Sequence, residues 1–203
     1  MEVHSFRESE LTFKPLTPRA WPDFEALFLE HGPQNGCWCM YWRARRSDCQ
    51  RGFGEGNKLA FKAIVEAGKV PGILAYHGER CIGWCSIAPR EDYPVLERSR
   101  TSKRVDDLPV WSITCFFVSK PYRRAGMTEV LIQEAIQYAQ SQGAEIVEAY
   151  PLRTEITKLL PYERYMGIET TFDRLGFQRV AQRSDRRTIM RYNIEQRRVA
   201  EGG

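Results

Sequence analysis

"FFVSKPYRRAGMTEVLIQEA", residues 116–135, is the stretch from which the rest of the chain is best read. It leaves an apolar, aromatic run, passes a proline and paired arginines, and reaches a glycine before an amphipathic segment. Thr128, Leu131, Ile132, Ala135, Ile136 and Ala139 recur at the spacing of one helix face, and Gly143 ends the pattern. Upstream, "VWSITCFFV" is continuously β-branched and aromatic, as in a strand covered on both faces. A strand turning through Arg123, Arg124, Ala125 and Gly126 into a helix sets unsatisfied N–H groups and the positive end of the macrodipole beside two guanidinium groups. A glycine there lets an anion approach the backbone closely. The spacing fits a pyrophosphate cradle, and it equally fits a plain surface turn. No Gly-Lys-Ser/Thr follows and no triple-glycine spacing is present, which excludes a Walker A loop and the dinucleotide fingerprint.

Working outward, residues 11–16 alternate apolar and polar, the pattern of a short strand. Phe24, Leu27 and Phe28 are spaced as on a helix that Gly32 stops, with Pro22 blurring its start. Residues 33–56 read as irregular. A second helix opens at Asn57 as N-cap and closes at Gly68. "GILAYHGERCIGWCSIAP" reads as a hairpin turning at residues 77–80. Residues 90–107 are charged and almost aperiodic, which predicts a mobile connection. "EIVEAYP" is a further strand and "IETTFDRLGF" a short helix. "QRVAQ" and "TIMRYNI" form a closing hairpin around "RSDRR".

The 203 residues and this element order point to a single α/β domain with a core of its own. A net charge of +4 suits a phosphorylated ligand and is too small for a dedicated nucleic-acid binder. The first residues are polar, and no run of about eighteen apolar residues occurs, so neither a signal peptide nor a membrane span is expected. The six cysteines, Cys37, Cys39, Cys49, Cys81, Cys85 and Cys115, then read as free thiols in a cytoplasmic protein.

Arg123-Arg124-Ala125-Gly126-Met127-Thr128 resembles the Arg/Gln-x-x-Gly-x-Gly/Ala motif of the GNAT superfamily of acyl-CoA-dependent N-acetyltransferases, with Thr128 in place of the small last residue. "VSKPYR" is similar to the family's strand exit with one shifted proline, and "TTFDRLGFQRVAQ" to its last helix and turn. The resemblance covers nearly the whole chain. It implies a mixed, mainly antiparallel sheet flanked by helices over residues 11–194, with 1–10 an extension and 195–203 a frayed tail. It also implies acetyl-CoA as co-substrate. The backbone of Phe116, Phe117 and Val118 would pair with the pantetheine arm as an added strand does. The N–H groups of Arg124, Ala125, Gly126, Met127, Thr128 and Glu129 would hold the pyrophosphate, with Arg123 or Lys120 reaching a further phosphate or standing solvated.

Acyl transfer from a thioester to an amine needs a neutral amine, a polarised carbonyl and a protonated leaving thiolate. The family often supplies a carboxylate on the strand before the cradle, but here the nearest are Asp106 and Asp107. It often supplies a tyrosine where this chain has Phe172. Glu148 and Tyr150 share one face of their strand and are the candidate base and acid, with Tyr162 and Tyr165 as further phenols. Trp38, Tyr41 and Trp42 are expected to line the acceptor pocket, or to pack under a long loop. His31, Cys37, Cys39 and Cys49 lack the spacing of a zinc site, so no metal is expected. Cys85 and Cys115 read as core residues, and a Cys–His mechanism would require His77 to lie beside one of them.

The resemblance implies an enzyme moving an acetyl group to a primary amine of a small molecule or protein by direct transfer in a ternary complex. A catalytically silent acyl-CoA sensor is the alternative from another class. RNA acetylation through the basic runs "RARR" and "RSRTSKR" is a third. A membrane and nucleic acid are not the expected partners, and a homodimer is the default assembly.

Overall fold

The computed structural model describes residues 6–30, 36–153, 155 and 165–195. The N-terminal strand β1 (Leu11–Pro15) leads to α1 (Trp21–Leu29), α2 (Arg46–Arg51) and α3 (Glu55–Glu66). A hairpin of β2 (Gly72–His77) and β3 (Arg80–Pro89) follows, then α4 (Pro94–Arg98) and β4 (Trp111–Val118). The chain continues through α5 (Met127–Ser141), β5 (Ile146–Ala149), α6 (Glu169–Arg174), β6 (Gln178–Gln182) and β7 (Thr188–Asn193). The strands form one sheet in the order β1-β2-β3-β4-β5-β7-β6. Its pairs are antiparallel except β4–β5, which α5 joins in parallel. The expected mixed, mainly antiparallel α/β architecture is thus the observed one.

Alternation along the strands divides the core between the two faces. Ile73, Ala75, Cys85 and Ile87 meet the buried stripe of α5, chiefly Leu131, Ile132, Ala135 and Ala139. Leu74, Tyr76 and Trp84 point the other way, against Trp21, Phe24 and Leu27 of α1 and Phe61 and Val65 of α3. Each large apolar side chain removed from water here contributes about 1.5–3 kcal/mol.

The β3–β4 ladder is irregular at one point. Ser86 pairs with Cys115 but Ile87 pairs with Ile113, so Thr114 is an extra residue in β4. This bulge puts Ile113 and Phe116, three positions apart, on the α5 face, while Cys115 and Phe117 turn to the α1 face. Bulges re-aim side chains and bend the strand that carries them.

The structure corrects three local expectations. Residues 90–107 are not a mobile connection: they contain α4, and Tyr93 and Leu96 are fully buried with Trp42, Ala88, Tyr150, Met166 and Ile189. Their charges looked solvated in sequence because their partners are far along the chain. Asn57 does not cap its helix, which starts at Glu55. Its buried amide instead donates to the carbonyls of Gly36 and Cys49, tying the loop before α2 to α3. Residues 33–56 are not wholly irregular, since α2 lies within them. Pro22 sits in the first turn of α1, where its missing N–H costs no helical bond. Gly32, His31, Tyr162 and residues 196–203 of the tail lie outside the described residues. Among the described residues, no helix is long and apolar enough to cross a membrane.

Candidate active site

β4 and β5 diverge. Their ladder covers Trp111↔Val147, Ser112↔Glu148 and Ile113↔Ala149, while β3 stays paired with β4 to Val118. Thr114 to Val118 therefore run on past the last β5 contact, and a wedge opens in the sheet plane beginning at the bulge. A wedge beside a pleated edge suits an extended ligand that completes the sheet.

The open end of the wedge leads to the cradle. After Val118 the chain makes a 3-10 turn, Lys120–Tyr122, and then takes left-handed backbone at Arg124 (φ 66°) and Gly126 (φ 82°). A Cβ added at Gly126 would meet nothing within 4 Å, so the glycine is there for its backbone conformation and for close approach from outside. No side chain caps α5 at Gly126. The N–H groups of Met127 and Thr128 have no intrahelical acceptor, by the geometry of any helix start, while that of Glu129 already donates to the Gly126 carbonyl at 2.8 Å. They face a cleft of about 210 Å³ bounded by Val118, Arg123, Arg124, the first turn of α5 and Thr171 of α6. Arg123 is exposed, lies 5.8 Å from the Phe117 ring, and donates from Nε to the Val118 carbonyl at 2.8 Å. Glu129 is paired with Arg174. A larger groove of about 570 Å³ runs along the solvent flank of α5 past Gln133, Glu134 and Gln137. It lacks the helix start and the arginine pair, so volume does not identify the site.

The closed end of the wedge is a buried ion cluster. Glu148 is fully buried; one carboxylate oxygen accepts from Arg90 at 2.7 Å and Tyr150 Oη at 2.6 Å, the other from Arg191 Nε at 2.7 Å. Arg90, 1% exposed, also donates to Glu97 and to the Ser102 carbonyl, each at 2.7 Å. Arg191 grips Asp106 with both terminal nitrogens at 2.6 and 3.0 Å. Ser112 of β4 shares a hydrogen bond with Tyr150 Oη at 2.9 Å. Burial, then the neighbouring carboxylate, pushes the Tyr150 phenol well above its ordinary pKa. The expected base and acid are thus brought together, with their polar atoms already engaged inside the protein.

The aromatic loop separates into different fates. Trp38, 5% exposed, stacks on Phe28 at 5.3 Å and on Trp21 at 6.4 Å. Trp42 is buried in one cluster with Tyr93 and Tyr150. Tyr41, 45% exposed, meets Trp42 at 4.9 Å and Tyr165 at 6.2 Å edge-on. Burial raises the Tyr165 pKa, with Arg187, 5.7 Å from its ring centre, working against that rise. Phe172 is fully buried between Phe116 and Phe177. His77 contacts Tyr122 Oη at 3.0 Å. Among the described residues, no group of three or more His, Cys, Asp or Glu is arranged to hold a metal. Sequence reading missed Arg90 and Arg191, because nothing around either residue marks the distant carboxylate it meets. It missed the Thr114 bulge because an extra residue leaves a continuously apolar strand unchanged.

Residues 8–157 match the model of the acetyltransferase (GNAT) family. The chain belongs to that family. No curated protein matches the sequence. Among solved structures, a GNAT-family acetyltransferase from Listeria monocytogenes 4b F2365 aligns with a TM-score of 0.54 at 11% identity, over 91% of this chain and 95% of that one. The ribosomal-protein-S5-alanine acetyltransferase of Vibrio fischeri gives 0.54 at 13%, over 94% and 96%. The NatC complex bound to Gag peptide and CoA gives 0.51 at 11%, over 91% and 99%. At such identities the likeness is one of fold, and this GNAT chain's acceptor has to be argued from its own residues.

Proposed function

We propose that this GNAT protein transfers an acetyl group from acetyl-CoA directly to a primary amine within a ternary complex. The observation that carries the reading is that β4 ends its ladder with β5 at Ile113 and leads, at its other end, into the Gly126 cradle. In this reading the pyrophosphate rests on the backbone of residues 124–129, and the pantetheine arm lies along Phe116 to Val118. That the NatC neighbour is bound to CoA fits the assignment. The thioester then falls near Thr114 to Phe116, where the strand's N–H groups polarise its carbonyl. Tyr165, kept protonated by burial, donates to the departing thiolate, and exposed Tyr41 borders the acceptor's entry. Glu148 and Tyr150 act as braces that keep the wedge at one width.

Steady-state release of CoA, with a panel of small and peptide amines, tests the reading. Intersecting double-reciprocal plots are expected, with a kcat loss of about a hundredfold in Tyr165→Phe. Acetyl-CoA binding without amine-dependent turnover for any member would overturn transferase activity in favour of a sensor.

A further inference from the structure

The proposed transfer uses none of the cysteines, yet the fold gathers three of them at the wedge. Cys115 lies on β4 two positions past the last residue paired with β5, and one past the bulge. Its thiol donates to the Phe116 carbonyl at 3.9 Å and stands beside Cys39, whose sulfur accepts from the Trp84 indole Nε1–H at 3.1 Å. Cys37 stands within electrostatic reach of both. Trp38 and Cys39 hold φ angles of 43° and 58°, left-handed backbone that costs a non-glycine residue roughly 1–2 kcal/mol each. The stacking of Trp38 on Phe28 holds that turn, and the turn keeps Cys39 against β4. Cys39 is 6% exposed, whereas Cys37 and Cys115 are both half-buried; of these two it is Cys115 that lies on β4 past its last pairing with β5.

A role for Cys115 depends on the acetyl-CoA reading: an arm anchored at the cradle and running back along β4 brings its sulfur to the closed end of the wedge, beside this thiol. We propose that Cys115 is an acyl-acceptor site, which takes the acetyl group from bound acetyl-CoA as a protein thioester when no amine is present. The Cys115 sulfur attacks the thioester carbonyl carbon, and a new S–C bond forms as the CoA S–C bond breaks. The CoA sulfur leaves with the electron pair and takes the Cys39 proton, while Cys39 takes up the proton that Cys115 loses in the same step, so no sulfur is left charged. One thioester replaces another, so no oxidant or energy source enters. The neighbouring Cys39 thiol, together with burial, holds the Cys115 pKa well above the ordinary thiol value. The free thiol is therefore sluggish toward reagents in solution, and its reactivity here comes from a thioester held alongside it.

The test is intact mass and peptide mapping of the full chain incubated with acetyl-CoA and no amine, with calorimetric titration of acetyl-CoA on the same preparations. A gain of one acetyl group on Cys115, removed by neutral hydroxylamine, is expected. Cys115→Ala and the better-packed Cys115→Val should lose the adduct while still binding acetyl-CoA. Cys39→Ala should slow its formation at least about tenfold. Binding without a hydroxylamine-labile adduct overturns this site and leaves the transfer reading standing. An adduct on another residue overturns the assignment to Cys115. Failure of the wild type to bind acetyl-CoA overturns the transfer reading, and this site with it.

Discussion

At the C-terminal end of β4, Arg123 and Arg124 stand exposed beside the start of α5, whereas at its N-terminal end Arg90 and Arg191 are 1% and 7% exposed around Glu148. The first pair is contiguous in sequence and faces an open cleft; the second is assembled from β7 and the end of β3. Guanidinium groups in water are free to meet an incoming anion. Taken out of water they need a carboxylate, and the desolvation cost of several kcal/mol per ion is offset only while every partner stays in place. The strand thus joins a rigid, internally neutralised end to an end whose positive field is unspent, with the wedge between them.

The largest effect should come from breaking the closed end. Glu148→Gln leaves two buried guanidinium groups short of their counter-charge and should lower unfolding free energy by about 3–5 kcal/mol, read from urea denaturation. If the loss is under about 1 kcal/mol, the cluster is not the brace described here. At the open end, Arg124→Ala should change stability little and weaken acetyl-CoA binding by about 1.5–3 kcal/mol, roughly ten- to a hundredfold, since a charge-assisted contact to phosphate is lost. A comparable loss of folding stability would blur the distinction between the ends.

How much of this was legible depends on sequence distance. The passage from strand to helix through Gly126 was legible because strand, arginines, glycine and helix stripe follow one another within 116–135, and each rule involved is local. The sheet's composition followed from periodicity and from the family resemblance. The cluster was not legible: Glu148 and Tyr150 were singled out by alternation on their strand, but their engagement depends on Arg90, 58 and 60 positions away. The same distance explains why residues 90–107 looked like a mobile connection and are in fact tied down by Arg183, which donates to the carbonyls of Lys103 and Arg104, and by Arg191.

The smallest expected effect sharpens the contrast by pH. The hydrogen bond from Arg191 holds the Asp106 carboxyl below its ordinary pKa. A depressed folded-state pKa means stability present above the unfolded value and lost as pH falls through the folded one. Asp106→Asn should therefore cost at most about 1 kcal/mol near neutrality, given the exposure of the pair's acidic side. It should also flatten the decline in stability below about pH 4, measured by thermal unfolding across an acid series. An unchanged acid profile would remove Asp106 from the tether.

Calorimetric titration with acetyl-CoA, on the wild type and on Gly126→Asp, tests the central claim most directly. The substitution would force a side chain into left-handed backbone and set a carboxylate against the ligand's phosphates. Saturable binding by the wild type, lost in a variant whose circular dichroism is unchanged, is the predicted result. No wild-type binding, or equal binding by the folded variant, would contradict the cradle.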